Sequence, residues 1–322
     1  MTGERLIAGI DVGTTMVKLA LYDTGWSQVA VYKTRAPLEY RGSRAGHDPH
    51  RLLETLRLMA GKAYRLGARL AGLSVYRASP LAWDDSRPLS DVVLWLDRER
   101  RYKAYESMPL AARLASRLPV AGQALSMWSP LPVIAWLQAR HGGRAWTLDA
   151  FLLDRYAGEY STVASVASLS GAFNPYTLKR LYVMLRLARA RPELTPRLTG
   201  ETSVSFNLEG VKVGSLVADQ QAALIGASCL GGGCIKLSLG TGAFATMALP
   251  GRPPLLTGGL TPLVVALIDE RPVWGVEAMA PGLGIAVEEL VTAAGGFSLL
   301  EEATPEECLE EWTGTLLLPG PA

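Results

Sequence analysis

Asp11, Gly13, Thr14, Thr15 and Lys18 stand together near the start of the 322-residue chain, in GIDVGTTMVKLALYD (residues 9–23). An apolar run, Leu6 to Ile10, ends at the carboxylate of Asp11. Small residues follow, and a second apolar run leads to Asp23. Backbone N–H groups in a tight Gly/Thr turn can wrap phosphate oxygens, and glycine permits the close approach. A carboxylate beside such a turn suits Mg²⁺, which prefers oxygen ligands and keeps several waters. Lys18 can add positive charge. Read singly, Asp11 is equally a turn-forming acid and Lys18 a solvated strand residue.

The same device occurs again at CIKLSLGTGAFATMALPG, which starts at Cys234: an apolar strand, a Gly240-Thr241-Gly242 tip and a second apolar strand. One Gly-Thr turn is weak evidence, because such turns join many hairpins. Two, each near the start of a candidate domain, suggest a duplicated fold with a phosphate-sized loop in each half. A third piece is GSLVADQQAALIG (residues 214–226), where Asp219 opens a helix-like run. Asp219 reads either as a helix cap or as a general base for a substrate hydroxyl. Neither the Gly-x4-Gly-Lys-Ser/Thr phosphate loop nor a dinucleotide-binding glycine fingerprint occurs, so a nicotinamide enzyme is not expected. Transfer of a phosphoryl group needs mainly positioned phosphates, a metal and a group that orients the acceptor, and these three pieces can supply them.

The elements that must hold these residues follow from periodicity. Residues 6–34 read as a β-hairpin or meander. Asp48 and Pro49 form a cap and first turn, and Leu52, Leu53, Leu56, Met59, Ala60 and Ala63 recur at helical spacing. Residues 69–76 read as a strand, so strand–helix–strand order predicts a layered α/β domain. VVLWLDRERR predicts another strand running into charge. Residues 130–140, 147–156 and 177–190 read as helices. Trp83, Trp136, Trp146 and Trp312 read as packing residues, and His141 as a helix terminus.

Net charge is +2, without Lys/Arg blocks or acidic tails, so nothing points to a nucleic-acid or membrane surface. The longest apolar stretches, such as Leu260 to Ile268, are too short to span a bilayer, and no secretory leader is evident. The three cysteines, Cys229, Cys234 and Cys308, form no framework and read as small buried thiols in a reducing compartment. A zinc site would need two further ligands nearby. These features predict a cytoplasmic protein.

Jointly, the three loops resemble the FGGY carbohydrate kinases of the actin, Hsp70 and ribonuclease H-like superfold. Asp11-Val12-Gly13-Thr14-Thr15 resembles the family's first phosphate loop. Ala218-Asp219-Gln220-Gln221 resembles its Gly-Asp-Gln-Gln segment, with Ala in place of Gly, and Gly240-Thr241-Gly242-Ala243-Phe244 resembles its second phosphate loop. Residues 72–101 follow its strand, turn and Trp-x-Asp-x-Arg pattern, and Glu277 falls where the family usually carries a glutamate.

The resemblance implies a first domain over residues 1–228 and a partial second domain over 229–322, lacking the adenine-binding half. It implies ATP- and Mg²⁺-dependent transfer to a sugar or polyol hydroxyl. Asp219 would be the base and Asp11 would hold Mg²⁺ through water. Gly13, Thr14, Thr15, Lys18, Gly240, Thr241 and Gly242 would hold phosphates. Arg77, Trp95 and Trp128 would face the acceptor, with Asp219 and Gln220 beside it. Two departures leave the substrate open. Ala78 stands where the glycerol-kinase branch has a glutamate, and the Met-His pair of xylulose kinases is absent near Tyr76 and Arg77. Alternatives are a catalytically weak binding or regulatory module, half of a split kinase, and an ATPase with a conformational output. A partial domain also implies a covering partner, either a second copy or another chain.

Overall fold

Alternating burial on the first three strands gives the molecule its main sheet. Val17, Leu19 and Leu21 point inward from strand Met16–Tyr22, and Ala8, Ile10 and Val12 from strand Leu6–Val12. The computed structural model describes residues 6–239, 242–255, 259–280 and 292. Leu6–Val12 and Met16–Tyr22 form an antiparallel first hairpin, extended by Gln28–Arg35. On its other side Leu6–Val12 pairs in parallel with Ala68–Val75, which pairs in parallel with Val211–Ala218; Phe206–Leu208 closes that edge. Three neighbouring parallel strands therefore end at the same edge. Register places Val12, Val75 and Ala218 in one row.

Helix Pro49–Arg65 covers this sheet. Its Asp48 cap accepts from the His50 and Arg51 amides, and Leu52, Leu53, Leu56, Met59, Ala60 and Ala63 are all buried. Helices Pro130–His141 and Leu148–Ala157 also lie as the periodicity predicts, each ending in a left-handed glycine, Gly142 and Gly158. Trp83 and Trp146 are core residues. Trp312 and Cys308 lie outside the described residues.

A second, four-stranded antiparallel sheet runs in the order Lys236–Leu239, Ala243–Ala248, Arg271–Ala280, Thr261–Ile268. Its first two strands are the second hairpin. A small core of Leu224, Cys229, Ala248, Leu263 and Val265 joins it to helix Asp219–Gly226. Where the two sheets meet, the buried carboxylate of Glu201 accepts from the Ser165 amide at 2.7 Å and from the Leu267 amide. Gln221 Nε2 donates to the Ser165 and Val264 carbonyls at 3.2 and 3.4 Å.

Three expectations are corrected. The helix over 177–190 shrinks to Tyr182–Leu187, because Asn174 captures the Tyr176 and Thr177 amides in a turn, and Leu178 and Arg189 adopt positive φ. The strand in VVLWLDRERR shrinks to Val92–Val93, because Asp97 accepts from the Arg100 amide and opens helix Arg98–Ser107. Cys229 and Cys234 are not separate thiols but a disulfide, their Cα atoms brought to 5.7 Å by the intervening glycine-rich loop. That pairing removes the cysteine count as an argument for compartment. Among the described residues, no helix is long and apolar enough to cross a membrane.

Candidate active site

The carboxyl ends of the three parallel strands build the site, as open α/β sheets commonly arrange it. They deliver Asp11, Arg77 and Asp219 to one cleft of about 1710 Å³ between the two sheets. Gly13, Thr14, Thr15, Lys18, Trp95, Trp128, Gln220 and Gly242 line the same cleft. Gly240 and Thr241 lie outside the described residues.

At the first hairpin, Gly13 N–H donates to the Met16 carbonyl at 3.0 Å, closing the turn. A Cβ at position 13 would sit 2.8 Å from that same oxygen, so the turn is built for glycine. Asp11 Oδ1 accepts from Ser74 Oγ at 2.6 Å, and its Oδ2 faces Lys18 Nζ at 3.5 Å. Ser74 comes from the neighbouring parallel strand, directly opposite Asp11 in register. The turn is braced from behind. Thr14 carbonyl meets His47 Nε2 at 2.8 Å, and His47 Nδ1 meets the Tyr76 hydroxyl at 3.0 Å. Burial pushes the His47 pKa down, so a neutral ring that donates from Nε2 and accepts at Nδ1 fits both contacts. Trp95 Nε1 donates to Thr14 Oγ1 at 3.3 Å.

Asp219 is the first residue of its helix; Ala218 is the cap. Its Oδ1 accepts from the Gln220 amide at 2.8 Å and lies 3.6 Å from Arg77 Nε. Among the described residues no group bonds Oδ2. Burial pushes the Asp219 pKa up, Arg77 pulls it down, and the charges of Asp11 and Glu277 push it up further. Arg77 in turn donates to Glu277 Oε1 at 2.8 Å and to Gln221 Oε1 at 3.4 Å, and lies over the Phe244 ring. Glu277 is itself buried and accepts from Thr246 Oγ1, its cross-strand partner, at 3.0 Å. Lys236 Nζ reaches Gln220 Oε1 at 2.6 Å and Ser238 Oγ at 2.8 Å, and burial lowers its pKa.

Trp95 packs edge-on against Phe244, with ring centroids 6.2 Å apart. Gly242 sits between them: a Cβ there would lie 3.2 Å from each ring. Trp128 also lines the cleft. Sequence reading did not single out His47 or Lys236. Both work through partners distant in the chain, and neither carries a local pattern. The Trp-x-Asp-x-Arg spacing puts Glu99 at its last position; the buried guanidinium falls at Arg101.

The residues fit magnesium and a polyphosphate. Among the described residues no three His, Cys, Asp or Glu side chains cluster as a metal cage. A single carboxylate with one restrained oxygen, next to a glycine turn and a lysine, suits a hydrated ion held largely by its phosphate ligands.

No family model matches the chain. Among curated proteins, it is 30% identical over 337 residues to a glycerol kinase of Rhodospirillum centenum, covering 95% of this chain and 66% of that protein. An uncharacterized sugar kinase of Archaeoglobus fulgidus is 26% identical, covering 88% and 65% of the two chains. Among solved structures, Plasmodium falciparum glycerol kinase with ADP superposes with a TM-score of 0.78 at 18% identity, covering 95% and 66%. The chain thus spans just under two thirds of the length of these relatives. The fold is the actin-like ATPase fold of the FGGY kinases, with its second domain represented in part. Agreement over nearly the whole chain, in sequence and in fold, assigns it to the FGGY family of carbohydrate kinases.

Proposed function

We propose that this chain carries the acceptor site and catalytic base of a kinase that uses Mg-ATP to phosphorylate a hydroxyl of a sugar or polyol. The observation that carries the reading is the convergence of Asp11, Arg77 and Asp219 from three adjacent parallel strands on one cleft, opposite the second hairpin. The relatives named glycerol kinase and sugar kinase support it.

Bound Mg-ATP supplies the phosphoryl group and neutralises its charge. Asp219 takes the proton of the acceptor hydroxyl at Oδ2, while Gln220 N–H and Arg77 hold Oδ1. Arg77, Trp95 and Trp128 orient the acceptor, with Gln220 beside the base. Asp11, whose Oδ1 is steadied by Ser74, would hold the hydrated magnesium ion. Gly13, Thr14, Thr15 and Lys18 would hold the phosphates together with Gly240, Thr241 and Gly242. Residues 1–228 form the acceptor domain, and 229–322 contribute the second phosphate tip.

The test is ADP release by the 322-residue chain with Mg-ATP and a panel of polyols and ketoses. Acceptor-dependent release is expected, and Asp219→Asn is expected to lower it roughly 10²-fold or more. An unchanged rate in that variant would remove Asp219 from the role of base. One observation favours a second reading, in which turnover needs the remaining third of the family's length or a covering partner. The outer strand Lys236–Leu239 exposes Leu237 and Leu239 at 66% and 81%. A folded chain that binds acceptor without turnover would support it.

A further inference from the structure

The residues assigned above to the acceptor face come from three separate loops, and one side chain ties all three. Arg101, on helix Arg98–Ser107, is fully buried. Its Nε donates to the Leu94 carbonyl at 3.0 Å. One terminal nitrogen donates to the Trp128 carbonyl at 3.0 Å, with those of Met127 and Ser129 at 3.4 Å. The other terminal nitrogen donates to the Ala78 carbonyl.

No carboxylate lies within ion-pair distance of this guanidinium among the described residues. Asp97 is occupied by the Ala45 amide and by Arg100, and Glu99 by Arg44 and Lys103. Burial lowers the Arg101 pKa to about 10, which leaves the group charged at neutral pH. Backbone carbonyls take the place of its water, and the Asp97 charge acts on it from beyond ion-pair distance.

Those carbonyls belong to, or adjoin, the acceptor-facing residues. Ala78 follows Arg77, Leu94 precedes Trp95, and Trp128 contributes its own. Ala78 also holds a φ of +56°, a left-handed conformation that alanine disfavours. Arg101 holds the carbonyl of that residue, immediately after the side chain that reaches Asp219 and Glu277.

We infer that Arg101 is a positioning residue of the acceptor site. Its planar fork fixes the mutual spacing of Arg77, Trp95 and Trp128, and so the shape of sugar or polyol that the cleft accepts. The inference rests on the reading of those three residues as the acceptor face. A lysine cannot substitute for the fork. An ammonium has three donors on one atom and cannot span carbonyls from three directions.

The test is Arg101→Lys in the 322-residue chain, followed first by amide hydrogen exchange. The Trp95 and Ser129 amides donate within these loops, to Ser79 Oγ and the Ser126 carbonyl, and the Tyr76 amide donates to the Val12 carbonyl of the adjoining strand. Exchange over residues 76–80, 93–96 and 126–130 is expected to speed up tenfold or more together, with the first hairpin unchanged. Second, ADP release is followed against glycerol and D-xylulose. The acceptor KM is expected to rise tenfold or more, while the KM for ATP stays within twofold. Exchange that speeds up in one loop only, or equally in the hairpin, overturns the tie. Loosened loops with an unchanged acceptor KM overturn the positioning role. Arg101→Gln, which drops the charge but keeps donors, takes over the measurement if the lysine variant does not fold. Trp128→Ala and Arg77→Lys serve as controls. If they leave the acceptor KM unchanged, it is the acceptor-face reading that fails.

Discussion

The two hairpins share a plan and differ in their support. The first lies inside a six-stranded sheet, with a partner strand on each side and a helix over one face. Its acid, Asp11, is held by a serine from the adjacent strand, and its turn is braced by His47 and Trp95. The second hairpin starts on the edge strand Lys236–Leu239, whose outer side is open among the described residues. Lys236 on that edge strand and Glu277 on the neighbouring strand Arg271–Ala280 reach Gln220 and Arg77. A Gly-Thr tip therefore does not define its own geometry. The first turn is held by local backbone and sheet neighbours, while the sheet that carries the second hairpin is tied by side chains to Gln220 and Arg77.

That contrast can be broken by substitution. The largest effect is expected from Gly13→Ala, because the new methyl meets a backbone carbonyl at 2.8 Å that cannot move without opening the turn. The KM for ATP should rise tenfold or more, with the acceptor KM little changed in steady-state kinetics. An intermediate effect is expected from Glu277→Gln, which removes one partner of a buried ion pair. Such losses cost about 3 kcal/mol, read as a lower urea midpoint at constant slope. The same variant should move the acid limb of kcat/KM to lower pH. Glu277 raises the Asp219 pKa, so without it the carboxylate base persists further into acid. A limb that moves up, or stays, would separate Glu277 from the base. The smallest effect is expected from Gly242→Ala. Its Cβ meets only the Phe244 and Trp95 rings at 3.2 Å, which can shift. A change below threefold in both KM values would fit, and a loss as large as that of Gly13→Ala would erase the distinction between the tips.

Much of the first unit could be read from residues alone because its signals are local. Asp48-Pro49 marks a helix start, and Leu52 to Ala63 mark its buried face. The apolar runs flanking Gly13 and Gly242 gave both hairpins. Failures came where a side chain overrode local preference. Asn174 turned the chain at a predicted helix start, and Asp97 capped a helix where a strand was expected. The site was legible as a set of residue types, and Asp11, Arg77 and Asp219 do converge. What sequence could not give was the pairing. Arg77 meets Glu277 two hundred positions away, and Arg101 works through carbonyls of three loops. No spacing rule encodes such contacts, since they exist only once the strands are in register.

The seam between the sheets sets how the cleft can change shape. Glu201 grips backbone amides on both sides, and Gln221 bridges carbonyls on both. Parts riveted at one place can swing about it but cannot slide past each other. The chain leaves the base helix through Ser228, Gly232 and Gly233, all at positive φ, and the Cys229–Cys234 disulfide closes that run into a small loop beside the seam. Asp219, on the helix that also carries Gln221, therefore sits beside the seam and not at the free end of a hairpin.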